Sequence, residues 1–354
     1  MMKTSIAVAI LAGTAASATG QLQMVEIMRT SISAATGEGN NWFIGRNVSS
    51  VAWDGSSLYV GGQSFNSAGS AISKVTPQMG TTSGLFELAG NFGFEATNAT
   101  RGVQDLAISD DGRLAVATDN GGGAAFGYRL FDANGNPISS FANSVRGNGI
   151  DFDPINGVAA GVVLGSGRVN GFNDDGSVFS GWDAATGPVI FNGSSTNRDS
   201  EFDSDGNLYF RSPNQINVVP RTGATTFGSV VELRANDPAA NFVNGQNLEV
   251  IEGFGDDIIL FNDRLSTSNG QSFTDVIQAI DENGNAVSIS FDFLDAFGDA
   301  PTGNGYYDFS YHAASQTLAI SDFAANQVYI FAVPAPGAAA LLGLGGLAAA
   351  RRRR

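Results

Sequence analysis

The chain contains no cysteine, a single histidine (His312) and only two lysines, Lys3 and Lys74. Without cysteine there is no disulfide framework, no thiol nucleophile and no thiolate metal site, so a chain of 354 residues must hold itself by a sizeable apolar core. One histidine excludes a zinc centre built on His and Cys and leaves a single imidazole as candidate base. His312 lies in an apolar strand between Tyr311 and Ala313, where packing or hydrogen bonding is its ordinary role. No Gly-x-Ser-x-Gly elbow occurs. Charged residues make up only 15%, yet the balance is acidic, with a formal net charge of −16. Lys3 and Arg351–Arg354 supply five of the 18 positive residues; the remainder of the chain carries 13 against 34 acidic residues, a net of −21. Such a field repels nucleic acid and anionic lipid and favours cations. Aromatic residues at 10%, with 25 Phe, argue against disorder. Helical periodicity is almost absent from the body.

What is present is a hairpin, repeated. In Arg101–Asp119, Val103, Leu106 and Ile108 form an apolar strand, Asp110-Asp111-Gly112 turns the chain, and Leu114, Val116 and Thr118 alternate on the way back. The same pattern recurs at Ser50–Gly61 (turn Asp54-Gly55), Ile150–Val163 (Asn156-Gly157), Phe202–Phe210 (Asp205-Gly206), Val250–Phe261 (near Asp256-Asp257) and Phe309–Ser321 (near Ser315). Between the hairpins lie further strands, at Tyr128–Phe131 and Pro137–Phe141, Val169–Phe172 and Ser177–Phe179, and Val276–Ile280 and Ala286–Phe291. Four strands in roughly fifty residues is the signature of a propeller blade. The expected fold is all-β: a single β-propeller of six blades. The last unit has strands for three places only, and the orphan strand Leu22–Ser33 fills the fourth, closing the ring. The body resembles NHL-type six-bladed propellers.

Two features of the repeat carry candidate chemistry. Asp203-Ser204-Asp205-Gly206-Asn207 and Asp281-Glu282-Asn283-Gly284-Asn285 look like calcium loops, but neither has the full alternating ligand set, and Asp, Asn and Gly belong in hairpin turns for backbone reasons. No cofactor is implied; calcium is the one ion such loops could take. Second, Arg46, Arg101, Arg146 and Arg198 precede their hairpins by four or five residues, with Asp105, Asp151 and Glu201, and also Glu249 and Asp308, close behind. Inner strands line a propeller's channel, so these residues are expected at one mouth. They form either an ion-pair girdle orienting the blades or a site for a polar ligand such as a sugar or an anion.

The ends are distinct from the body. Residues 1–18 combine Lys3, the apolar stretch Ser5–Ala15 and the small residues Ala16-Ser17-Ala18, a secretory signal peptide with cleavage expected after Ala18. The body is then 19–332, and 333–354 is a tail: Val333-Pro334-Ala335-Pro336-Gly337, a short apolar run, and Arg351, Arg352, Arg353 and Arg354. The run is shorter than the ~20 residues of a spanning helix. This tail resembles the PEP-CTERM sorting signal, with Ala335 where that family usually has Glu. The resemblance covers the last 22 residues and implies export by the Sec translocon, cleavage by signal peptidase, processing by an exosortase-type enzyme and transient membrane association at the cell envelope, surface or extracellular matrix. The function expected is a non-catalytic binding or structural role, with extracellular polysaccharide as a partner and no nucleic acid. The alternative is a propeller hydrolase or lactonase with a carboxylate-bound metal in the channel.

Overall fold

The computed structural model describes residues 22–31, 47–63, 72–77, 86–91, 102–119, 127–141, 147–163, 168–182, 198–212, 215–235, 247–263, 276–293 and 307–333. The expected signal peptide and all of the tail beyond Val333 lie outside them.

Six small sheets form the six blades of a β-propeller. The chain enters at β1 (Leu22–Ser31). Blade one is β2 (Asn47–Trp53), β3 (Leu58–Gln63), β4 (Ile72–Pro77) and β5 (Phe86–Asn91); blade two is β6 (Gly102–Ile108), β7 (Leu114–Asp119), β8 (Tyr128–Phe131) and β9 (Pro137–Phe141). Blade three is β10 (Gly147–Asp153), β11 (Val158–Val163) and β12 (Arg168–Phe172). The strand expected at Ser177–Phe179 contracts there to one bridge, Phe172 to Val178, because Asn173-Asp174-Asp175-Gly176 makes a tight turn and Trp182 then folds back into the core. Blade four is β13 (Asp199–Phe202), β14 (Leu208–Ser212) and β15 (Gln215–Val219), then a small inserted hairpin, β16 (Arg221–Gly223) and β17 (Thr226–Phe227), and the outer strand β18 (Val231–Arg234). Blade five is β19 (Leu248–Ile251), β20 (Ile258–Asn262), β21 (Ile277–Asp281) and the short β22 (Ala286–Val287). Next comes β23 (Ile289–Asp292), and the last blade is built on β24 (Tyr307–His312), β25 (Thr317–Asp322) and β26 (Gln327–Ala332).

β1 closes the ring as expected: it pairs antiparallel with β26 from Val25 opposite Ala332 to Ser31 opposite Gln327. Its other edge is covered in parallel by β23, Leu22 opposite Ile289. The single strand expected over Ala286–Phe291 therefore serves two sheets, β22 finishing blade five and β23 covering the closing strand. Val333 follows β26 with its side chain buried and its N–H bonded to the Gln316 carbonyl, so the folded body reaches the first residue of the tail motif.

The turns explain the Asp-Gly pattern. Gly112 and Gly206 have φ of +84° and +80°, a conformation that glycine adopts without cost. At Asp203 both carboxylate oxygens are taken up by the turn itself, Asn207 donating from its backbone and its side chain; Asp281 binds Asn285 in the same way. Central strands such as β7, β14, β20 and β25 are buried at every position, since each blade is packed on both faces. The apolar cores lie between neighbouring blades. Met28, Val328 and Ile330 of the last blade meet Val51, Trp53 and Val60 of the first, and Leu22 and Met24 of β1 pack with Ile258, Leu260 and Phe331 between blades five and six.

Candidate functional site

The innermost strand of each blade is a sheet edge facing the channel, and its spare N–H and C=O groups need partners. Side chains of the preceding blade supply them all the way round. Ser49 Oγ donates to the Val103 carbonyl at 2.5 Å. Ile150 N–H donates to Asp105, Phe202 N–H to Asp151, and Leu248 N–H to Asp199, each at 2.7 Å. Tyr311 N–H donates to Glu249 at 2.8 Å, and Val51 N–H to Asp308 at 2.7 Å, which joins the last blade to the first. Asn247 donates its side-chain amide to the other oxygen of Asp308. At the matching place in blade three stands Gly149, where a Cβ would lie 2.6 Å from the Asp199 Cα and 2.7 Å from its Oδ1. The bare backbone leaves room for the neighbouring carboxylate.

The result is a channel lined with acids. Asp105, Asp199 and Glu201 offer oxygens that lie within 4.8 Å of one another. Burial is the first cause that raises every one of these carboxyls above its ordinary range. It brings Asp151 up to about 6 and Asp199 to about 7, although backbone N–H bonds to both act in the opposite direction. Asp105 is pushed well up by burial and then by the charges of Asp199 and Asp308, and Asp308 by burial and then Asp199. Glu201 is raised by burial and then by Asp151, Glu249, Asp199 and Asp105; Glu249 by burial and then Asp151. At neutral pH such a group cannot all be ionised without company. It holds protons, or it holds a cation.

Above this layer, at the C-terminal ends of the inner strands, a cavity of about 420 Å³ opens. Its floor carries Asp151, Glu201 and Glu249, its rim Asp54, Asp110 and Glu252, and its walls include Phe202, Tyr311 and Ile108. Among the described residues no arginine or lysine lines it. His312 is at the edge, with Nδ1 2.7 Å from Ser315 Oγ and its ring against Gly55. That contact holds the imidazole to its own turn.

Of the residues singled out from sequence, Asp105, Asp151 and Glu201 all meet in the channel, joined by Glu249 and Asp308. Arg46, Arg101 and Arg146 lie outside the described residues. Arg198 opens blade four, its N–H extending the pairing to the Arg211 carbonyl, at the end of the inner strand opposite the cavity. Asp199 escaped the sequence reading, though its position was readable: it stands six residues before the turn Asp205-Gly206, as Asp105 stands six before Asp111-Gly112. Arg211 escaped it too. Fully buried, it bonds Asp263 at 2.7 Å and the Asn247 carbonyl at 3.1 Å, lies over Phe261, and bears electrostatically on Asp199. Burial lowers its own pKa to about 10.

No protein-family model matches this chain, and no curated protein matches it. Solved structures do. An auxiliary nutrient binding protein from Bacteroides ovatus superposes with a TM-score of 0.56 at 13% identity, over 81% of this chain and 69% of that one. Its counterpart from Bacteroides thetaiotaomicron gives 0.54 at 10% identity, over 80% and 68%. Virginiamycin B lyase from Staphylococcus aureus gives 0.49 at 12% identity, over 87% and 99%. At these identities the likeness is one of fold.

Proposed function

We propose that this is an exported β-propeller with a binding rather than a catalytic role, sorted to the cell envelope or extracellular matrix by its C-terminal tail, and that its ligand enters the cavity at the C-terminal ends of the inner strands. One observation carries the binding reading: a concave space of ligand size stands over a floor of carboxylates with no arginine or lysine among the described residues of its lining. The use of this scaffold for auxiliary nutrient binding in the two Bacteroides proteins supports it. The Ser315 hydroxyl beside the lone histidine is also bonded to Thr317 Oγ1 at 2.6 Å, so the three side chains brace their own turn. The address rests on Lys3, the Ala16-Ser17-Ala18 site, Pro334 and Pro336, and Arg351–Arg354. The test of the address is mass spectrometry of the protein from the cells that make it: an N-terminus near Thr19 and absence of Arg351–Arg354 are expected, and full-length chain in the cytoplasm contradicts it. The test of binding is a screen of polar ligands and glycans by calorimetry, with Glu249→Gln as control.

The convergence of Asp105, Asp199 and Glu201 supports a second reading, a hydrolase with a carboxylate-held metal in the channel. Three carboxylates are a fitting donor set for a hard divalent cation, which would act there as Lewis acid. Stoichiometric metal in the purified protein, together with chelator-sensitive hydrolysis of a lactone or ester, decides for this reading over the first.

A further inference from the structure

Resting on the binding reading, we infer that the mouth cavity is a site for a small organic cation, a primary amine on a body of about monosaccharide size, with its ammonium group seated among Asp151, Glu201 and Glu249.

Charge selects the class first. Asp54, Asp110, Asp151, Glu201, Glu249 and Glu252 all line the cavity, with no arginine or lysine among the described residues of the lining, so phosphates, sulfates and carboxylates are repelled. Bonding selects the seat. Asp151 and Glu249 carry structural duty: Asp151 receives the Phe202 N–H on one oxygen, and Glu249 receives the N–H of Tyr311 on one oxygen and that of Val250 on the other. Glu201 has no such duty. Among the described residues no backbone N–H reaches it, and its nearest charged influences are Asp151 and Glu249, two other carboxyls. Carboxyls that crowd one another in this way keep protons unless a cation joins them. An ammonium group, with three N–H donors on one centre, supplies the missing positive charge and can bond Glu201 together with a neighbouring carboxyl of the floor.

Size and walls separate an organic cation from a bare metal ion. About 420 Å³ is far more than one ion and its ligands require, and it falls within the range of small-molecule pockets. Phe202 and Tyr311, both partly open, flank the floor, and Tyr311 is held in place by its hydroxyl donating to the Glu252 carbonyl at 3.2 Å. Aromatic and aliphatic walls around a carboxylate floor attract a cation and cover its carbon skeleton. A metal ion uses neither; the deeper group of Asp105, Asp199 and Glu201 would be its place.

The experiment is calorimetric titration of the full chain with glucosamine, and separately with N-acetylglucosamine, glucose and calcium chloride. Glucosamine and its N-acetyl form share the ring and differ in the charge. Saturable binding of glucosamine, at least tenfold tighter than of the other two sugars, weakening as salt is raised, and reduced tenfold or more by Glu201→Gln, supports the inference. Asp110→Asn, at the exposed rim, gives a smaller loss and serves if Glu201→Gln melts early. Equal binding of glucosamine and N-acetylglucosamine overturns the cationic class and leaves the mouth site standing. Binding of calcium alone overturns it in favour of the metal reading. Binding of glucosamine that both variants leave unchanged overturns the seat. No binding of any probe overturns the inference, and if the polar-ligand screen is also blank the binding reading falls with it.

Discussion

At the scale of single residues, the channel acids do two jobs that substitution can separate. Asp199 accepts the N–H groups of Leu248 and Ser200 and crowds Asp105 and Glu201. Asp199→Ala removes the acceptors and leaves a buried N–H unbonded, a loss of about 1–3 kcal/mol. Asp199→Asn keeps an acceptor and removes a charge from a crowded site. Denaturant melts at pH 8 are expected to rank Asn at or above the parent and Ala below it; Asn falling as far as Ala would mean that the charge itself stabilises the ring. The ion-pair cluster at the junction of blades four and five behaves oppositely. Asp263 holds both Arg211, at 2.7 Å, and Arg234, at 2.5 Å, and the guanidinium groups lie over Phe261. Asp263→Ala strands Arg211 without its ion-pair partner in the interior, and a loss of about 3–5 kcal/mol is expected in the same melts. A loss under 1 kcal/mol would show that the Asn247 carbonyl and the ring suffice. Asp199 was readable in the sequence by its offset from the turn. Arg211 was not: it lies 52 residues from its carboxylate partner, in a strand whose pattern is simply apolar.

At the scale of elements, β1 is the latch. Residues near the start of the described chain pair with the end of it, and Met24 and Met28 are buried in the cores on either side of the last blade. Deleting Leu22–Ser31 opens the edges of β26 and β23 together. Aggregation or a drop in melting temperature of many degrees is expected, and a variant that melts like the parent would show that the ring closes without this strand. Met28→Ala, which keeps the strand, should cost about 2–5 kcal/mol. The latch was legible because the strand count of the last unit came up one short. The division of Ala286–Phe291 into β22 and β23 was not, because alternation specifies a strand and its faces but not its partner.

At the scale of the whole molecule, the acidic channel sets the response to pH. In the unfolded chain these carboxyls ionise near pH 4. In the fold Asp151 holds its proton to about 6 and Asp199 to about 7, and Asp105, Glu201, Glu249 and Asp308 are raised well above their ordinary range by burial and by neighbouring carboxylates. The folded state therefore binds more protons, and the stability this contributes is present below the unfolded values and lost as pH rises through the folded ones. The turn aspartates Asp111, Asp132, Asp175 and Asp281 are shifted down, so their contribution changes below pH 4; in the upper window the channel acids are joined by Asp203, Asp322 and Asp257, raised by burial, Asp257 to about 7. The melting temperature is expected to fall between pH 5 and pH 8 in the absence of ligand, and a bound cation should flatten that slope. A melting temperature that climbs over this window would mean that the channel acids are paired by groups other than one another.

The sequence by itself determined the hairpin, its repetition, the blade and the number of blades, because period-two alternation and Asp-Gly turns act over a dozen residues and need no knowledge of the rest of the chain. It determined the acidity of the inner strands as well. Only the tertiary structure decided that those acids meet. The N–H of Val51 finds Asp308 across 257 residues, and that of Ile150 finds Asp105 across 45, because an inner strand's free edge is satisfied by whichever blade ring closure brings beside it. The same closure turns side chains scattered along the chain into one low-dielectric channel, where burial and mutual repulsion raise their proton affinity together and leave Glu201, facing other carboxyls, open to a cation.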